Sequence, residues 1–197
     1  MAFLTAKRSS AALLLLGLSV SLAACGVAAH DIAAILAARP DLREFSGRLA
    51  STGLAYDIDQ RNASLTVLAV DNAGMALLKA RRLPRATVRR HLSLHVLLDY
   101  YDQARLQSLP RGSSEVVSTL LPASSRPGAG ASGKVRIVAP GPGLGAGEPV
   151  AFLPMGLGPG YWRVALFVRS VYEAPADISV LQVSAVMSGG GRQEATD

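Results

Sequence analysis

Three groups of residues have types and spacings that chemistry could use. His91, His95 and Asp99 stand at i, i+4 and i+8, so on a helix they would form one stripe of imidazole and carboxylate groups, a set able to ligate zinc. A zinc protease would need a glutamate directly after the first histidine, and Leu92 stands there. Gly128-Ala-Gly-Ala-Ser-Gly133-Lys134 meets the phosphate-loop spacing as far as the lysine. Val135 then occupies the place of the magnesium-binding Ser or Thr, and the following Arg136-Ile137-Val138 reads as strand where a phosphate-binding helix should open. A Gly-rich hairpin loop accounts for it. Gly143, Gly145 and Gly147 are not followed by a helix either, because Glu148-Pro149 comes next. There is no G-x-S-x-G elbow, and the single cysteine, Cys25, lies in a leader segment. No catalytic, cofactor-binding or metal site is therefore expected.

The third group is cationic. Lys79, Arg81, Arg82, Arg85, Arg89 and Arg90 crowd into thirteen residues, Lys79–His91, of a chain whose formal net charge is +6. Nucleic-acid binding would call for interleaved aromatics on which bases stack, and there are none. Two readings remain: a solvated helix face, or contact with an acidic polysaccharide through carboxylate–guanidinium pairs at Arg81, Arg82, Arg85 and Arg89. Asn62-Ala63-Ser64 is the one N-glycosylation sequon of the chain. It follows the polar run Asp57–Arg61, which is expected to be a surface turn.

The elements that must position these residues are legible from periodicity. Leu65–Val70 is a six-residue apolar run and reads as a buried strand. Asp71 and Asn72 end it, and either can cap the helix that continues through Met75 and Leu78. Upstream, Asp31 caps a short helix, Pro40 interrupts, and Leu42, Phe45 and Leu49 give a second helix that Gly53 closes. Pro84 opens a longer helix on which Val88, Leu92, His95 and Val96 share a face. After a short amphipathic piece, Gln103–Leu109, the period changes. Glu115–Leu121, Lys134–Val138, Pro149–Leu153, Arg163–Val171 and Ile178–Val186 read as strands between Gly/Pro-rich turns. Arg163–Val171 is apolar almost throughout and is expected to be central, whereas Ile178–Val186 alternates and is expected to have one wet face. Helices first and strands later make this an α+β domain.

The ends bound the compartment. Lys7 and Arg8, then the apolar Ala11–Leu22, then small residues to Ala29 form a secretory signal peptide too short to span a bilayer. Leu22-Ala23-Ala24-Cys25 also matches the bacterial lipoprotein pattern, but no polar tether separates that cysteine from the domain. Removing 29 of 197 residues leaves 168, takes away Lys7 and Arg8 so that the charge falls from +6 to +4, and leaves no cysteine. A chain of that length buries enough apolar surface to fold without disulfides. The expected organisation is a signal peptide over 1–29, one domain over 30–187 and a flexible polar tail over 188–197. No membrane span is expected after residue 29. In the tail, Ser188-Gly-Gly-Gly-Arg-Gln-Glu-Ala-Thr-Asp197, a glycolipid-anchor signal is not evident, which leaves two expectations: an unanchored protein, or a truncated sequence whose full product sits at the outer plasma-membrane surface.

Three collinear stretches carry a family resemblance: Thr66-Val-Leu-Ala-Val-Asp-Asn-Ala-Gly-Met75, Leu92-Ser-Leu-His-Val-Leu-Leu-Asp-Tyr-Tyr101 and Ile178-Ser-Val-Leu-Gln-Val-Ser-Ala-Val-Met187. Together they resemble the motifs of fasciclin-type domains, most of all those of plant fasciclin-like arabinogalactan proteins. The resemblance implies a β-sandwich wedge with packed helices. It also implies a secreted, non-enzymatic glycoprotein of the plant cell wall or extracellular matrix, with an adhesive or structural role. The implied partner is a cell-wall polysaccharide such as pectin, or a matrix protein. Asp71 and Asn72 match the first motif. His95 matches the histidine of the family's Tyr-His motif, which implies a structural role, buried and bonded near the Asp71 turn; Leu94 stands where the family has tyrosine. Ala139-Pro140, Ala174-Pro175 and Pro122-Ala123-Ser124 are the few scattered places that could carry hydroxyproline-linked arabinogalactan. The other reading of the same fold is a secreted enzyme or a lipid-tethered bacterial protein.

Overall fold

The computed structural model describes residues 30–123, 133–141, 148–156 and 164–187. The signal peptide, Cys25, most of the Gly128–Lys134 loop, Gly143, Gly145, Gly147 and the polar tail lie outside the described residues.

The N-terminal third is helical and takes its breaks from its own side chains. α1 (Ile32–Ala37) begins where Asp31 Oδ1 accepts the Ala34 amide at 2.8 Å. Pro40 starts a 3-10 turn, Pro40–Leu42, that leads into α2 (Arg43–Thr52). Gly53 ends α2 at φ +79°, a left-handed conformation in which a side chain would strain the backbone. The chain then re-enters a helix at once, as α3 (Leu54–Asp59). Asp57–Asp59 are thus helical rather than part of a surface turn; Leu54 and Ile58 fall inward at i, i+4 and draw the segment onto the core. The exposed turn is shorter, from Gln60 to Ser64.

β1 (Leu65–Val70) is buried at every residue. Asp71 follows in an extended conformation, and its Oδ1 accepts the Gly74 amide at 2.7 Å, opening α4 (Asn72–Ala80). Asn72 does not share in that cap. Its Oδ1 accepts the Glu44 amide at 2.9 Å and its Nδ2 donates to Pro40 O at 3.0 Å, fastening the start of α2 to the start of α4.

α5 (Arg85–Ser93) follows and stops sooner than the apolar spacing suggests. His95 and Val96 are not on it: Val96 and Leu97 form β2 (Val96–Leu97), paired antiparallel with Val67 and Thr66. Strand pairing here competes with the next helical turn and wins, since each of these residues is fully buried once paired. After α6 (Gln103–Ser108), capped by Asp102 on the Arg105 amide, come β3 (Ser114–Ser118), β4 (Lys134–Val138), β5 (Ala151–Pro154), β6 (Ala165–Ala174) and β7 (Ile178–Val183).

The strands run in the order β2-β1-β7-β6-β5-β4-β3. β1 and β7 are parallel, with Leu65 opposite Ile178 and Val70 opposite Val183; the remaining pairs are antiparallel. The two ends of the order come together, because Leu97 bridges to Thr119 and Leu120 N donates to Val96 O at 2.8 Å. The sheet therefore bends back on itself around the apolar side chains of β1, β7, Val135, Ile137 and Phe152, with the helices packed outside: an α+β wedge.

Two exposures are the reverse of what the sequence pattern indicates. β7 is buried along its whole length; of its two polar members Gln182 accepts from Arg169 Nε at 2.6 Å, whereas the buried Ser179 hydroxyl has no hydrogen-bond partner among the described residues. β6 lies in the middle of the strand order, yet only Ala165 is buried, and Leu166, Val168 and Tyr172 are 38, 50 and 43 % exposed. β5 accompanies β6 only at Ala165 and Leu166, and register shifts at Phe167/Arg169 and Ser170/Tyr172 twist the rest of the strand outward.

The two neighbouring residues at the β1–α4 junction should behave differently on substitution. Asp71→Ala is expected to lower stability by about 1 kcal/mol through loss of the cap. Asn72→Ala should lower it separately, through Glu44 and Pro40. Because Asn72 is not a substitute cap, the two effects should be close to additive in urea-unfolding midpoints; a double variant no worse than Asp71→Ala would contradict this division of roles.

Candidate functional site

The histidine stripe does not form. His95, beyond the end of α5, has no exposed surface and both ring nitrogens are engaged. The Met187 amide donates to Nε2 at 2.8 Å, so Nε2 accepts, and Nδ1 carries the proton and donates to Leu68 O at 2.8 Å. The ring thereby joins β1 to the segment that follows β7. Burial is the main cause that depresses its pKa to about 4, opposed by the Leu68 carbonyl, with His91 adding to the depression. Asp99 faces another way, holding Arg105 through Oδ1–Nη1 at 3.2 Å and Oδ2–Nη2 at 3.0 Å. The same guanidinium lies 3.9 Å from the centre of the Tyr101 ring. Among the described residues no cluster of three His, Cys, Asp or Glu side chains is assembled that could hold a metal ion.

The cationic stretch divides into two kinds of residue. Arg89 is bonded within the fold although its side chain is 41 % exposed. Its Nη1 donates to Thr52 O, the carbonyl at the end of α2, at 2.6 Å, and its Nη2 pairs with Asp57 on α3. It locks α5 to the α2–α3 corner, so the guanidinium that the sequence offers as a polysaccharide contact is already paired within the fold. Arg81, Arg82, Arg85 and Arg90 are exposed. Lys79 is exposed too, 3.6 Å from Glu44. The crowding of charge is felt by His91, whose pKa is lowered first by burial and then by Arg81 and Arg90.

The turn between α4 and α5 carries this charge in an unusual backbone. Arg82 sits at φ +48°, a left-handed conformation that costs a non-glycine residue of order 1 kcal/mol or more. Beside it lies a concavity of about 250 Å³ lined by Arg48, Leu78, Lys79, Arg82, Leu83 and Val88. Arg48 belongs to α2, and nothing in its local sequence marks it, because the cleft is made by α2, α4 and α5 packing together. The sequon is on another part of the surface. Asn62 is exposed just before β1, and the Ser64 hydroxyl donates to Ala176 O at 2.5 Å.

This sheet, closing around one parallel pair with helices packed outside, has a counterpart among solved structures. The chain matches a FAS1 domain pair from the insect cell adhesion molecule Fasciclin I with a TM-score of 0.51 at 16 % identity, over 74 % of this chain and 44 % of that one. It is also 36 % identical over 161 residues to fasciclin-like arabinogalactan protein 2 of Arabidopsis thaliana, covering 81 % of this chain and 37 % of the relative. Fasciclin-like arabinogalactan protein 10 of the same plant is 32 % identical over 175 residues, covering 88 % and 39 %. No family model matches the chain. The chain is a fasciclin-like domain protein, similar to the plant fasciclin-like arabinogalactan proteins. It spans well under half the length of these two relatives. Neither they nor the insect molecule are named as enzymes.

The neutral imidazole makes stability pH-dependent in a definite direction. His95 titrates near 4 when folded and near 6.5 when unfolded, so the unfolded chain takes up the proton first as pH falls. Its contribution is complete above pH about 6.5 and is lost on acidification toward pH 4, with an upper size of about 3 kcal/mol. Urea midpoints between pH 7 and 4 should fall in the parent. They should fall less steeply in His95→Phe, which begins from a lower value because Leu68 O and the Met187 amide lose their partner. Equal slopes would remove His95 from the acid transition.

Proposed function

We propose that this protein is a secreted, fasciclin-like glycoprotein of the plant cell wall or extracellular matrix, acting in adhesion or matrix structure by surface contact rather than covalent chemistry. The relatives and the fold support an adhesion-type extracellular role. The observation that carries the surface-contact reading is the set of exposed cations around the α4–α5 turn: Arg81, Arg82 and Arg85, none with a carboxylate partner among the described residues. The partner this face suits is an acidic wall polysaccharide of the pectin type, whose carboxylates would form charge-assisted bonds with guanidinium groups. Asn62 is the proposed N-glycan site. Its exposed position before β1 would direct a glycan away from the core.

Retention on immobilised pectate should fall as salt rises, since exposed charges are screened over about 10 Å at 0.1 M. Changing Arg81, Arg82 and Arg85 together to Gln should weaken retention without lowering the melting temperature. Arg89→Gln should do the opposite, lowering the melting temperature by undoing the α5 lock. Retention that survives the triple change would contradict the reading. Protein secreted from plant cells should also lose one glycan's mass on Asn62→Gln with its melting temperature little changed.

A further inference from the structure

The concavity between α2, α4 and α5 combines two chemistries that a solvated helix face does not need. Its lining holds three cations, Arg48, Lys79 and Arg82, and three aliphatic side chains, Leu78, Leu83 and Val88. Leu78 and Val88 belong to the core, 6 and 5 % exposed, and Leu83 packs against it partly exposed, so the apolar part is a small fixed floor that the cleft reaches mainly at Leu83. No carboxylate is among the lining residues; Glu44, 3.6 Å from Lys79, stands beside them as part of an exposed pair. α5 also begins here without an acidic residue in its first turn, and with Arg85 as its first residue, so the positive end of the helix adds to the cationic field. Arg82 is in addition held in the left-handed conformation, where glycine would be unstrained. Cations massed at a helix N-terminus and a strained arginine both oppose folding, and an anionic ligand would turn both to use.

The shape narrows the ligand. A volume of about 250 Å³ lies below the roughly 300–1,000 Å³ of sites for drug-sized molecules, so it suits a single ring. A simple inorganic anion would leave the aliphatic floor unused, and the lining has no aromatic side chain on which a nucleobase would stack. A pyranose presents an apolar C–H face, and a uronic acid adds one carboxylate at its edge. We propose that this cleft binds one uronate ring of an acidic polysaccharide, with Arg48, Lys79 and Arg82 receiving the carboxylate and the ring's C–H face resting at Leu83, backed by the buried Leu78 and Val88. This rests on the matrix-contact reading above and narrows it to a residue set that includes Arg48 and leaves out Arg89.

The test is calorimetric titration of the full chain with trigalacturonate, with its methyl ester, and with inorganic sulfate. The parent should bind the trimer, and the ester, which keeps the rings but loses the charge, should bind about tenfold more weakly or worse. Arg48→Gln and Arg82→Gly should each weaken binding by about tenfold, while Arg136→Gln, which removes an exposed cation on β4, should not. Arg82→Gly has a second readout. Its melting temperature should equal or exceed the parent's because the left-handed strain is relieved, which a merely structural arginine would not produce. Binding unchanged in both cleft variants but lost in Arg81→Gln with Arg85→Gln would overturn the cleft and leave the helix-face reading standing. No binding by the parent would overturn both. Displacement of the trimer by an equal concentration of sulfate would reduce the site to a general anion pocket and overturn the assignment to a sugar.

Discussion

The pairing of β1 with β7 is the constraint on which the rest of this domain depends. Leu65 and Ile178 are aligned across a parallel ladder although more than a hundred residues separate them in sequence. Parallel strands have no hairpin to set their register, so it must come from burial and from fixed polar contacts. Both are present. Every residue of each strand is buried, and His95 binds Leu68 O on one side and the Met187 amide on the other. The contact needs an uncharged imidazole, since Nε2 must keep its lone pair for the amide. The interior enforces that state by burial.

With the pair in place, the helical layer follows from a small number of directed contacts. Asn72 fastens α4 to the start of α2, and Arg89 fastens α5 to its end. Arg169 reaches Asp41 in the 3-10 turn at 2.7 Å, and Arg39 Nη2 donates to Val171 O at 3.2 Å, tying the same corner to β6. These contacts occupy carboxylates: Asp41, Asp57 and Asp99 each pair with an arginine. The cations of the α4–α5 turn are left facing solvent. The positive face is thus a consequence of where the acidic groups are used, as well as of how many basic residues the chain contains.

Much of this was readable in the chain, for local reasons. Leu65–Val70 has the bounds of the strand, and Lys134–Val138 likewise, because each apolar run is bracketed by residues that stop it. Asp31, Gly53 and Asp71 act through bonds or dihedral angles within three residues of themselves, so their types suffice. The misreadings are those in which a distant partner decides. The run after Pro84 carries no Gly or Pro to end it, and the helix stops because Val96 and Leu97 pair with β1. Arg89 looks like its neighbours until Asp57, 32 residues earlier, takes its charge. Apolar character indicated a central β6, and it is central in the strand order, but its faces are largely exposed because β5 leaves it after two residues. Arg48 was invisible as a cleft residue for the same reason: only packing brings it to Arg82.

A neutral His95, protonated at Nδ1, joins β1 to the segment after β7. Nitrogen-15 spectroscopy of the histidine ring in the folded protein at pH 7 tests it most directly. The expected spectrum shows a protonated Nδ1, an unprotonated Nε2, and a scalar coupling from Nε2 across the hydrogen bond to the Met187 amide. A ring protonated at Nε2, or one carrying both protons at pH 7, would contradict it.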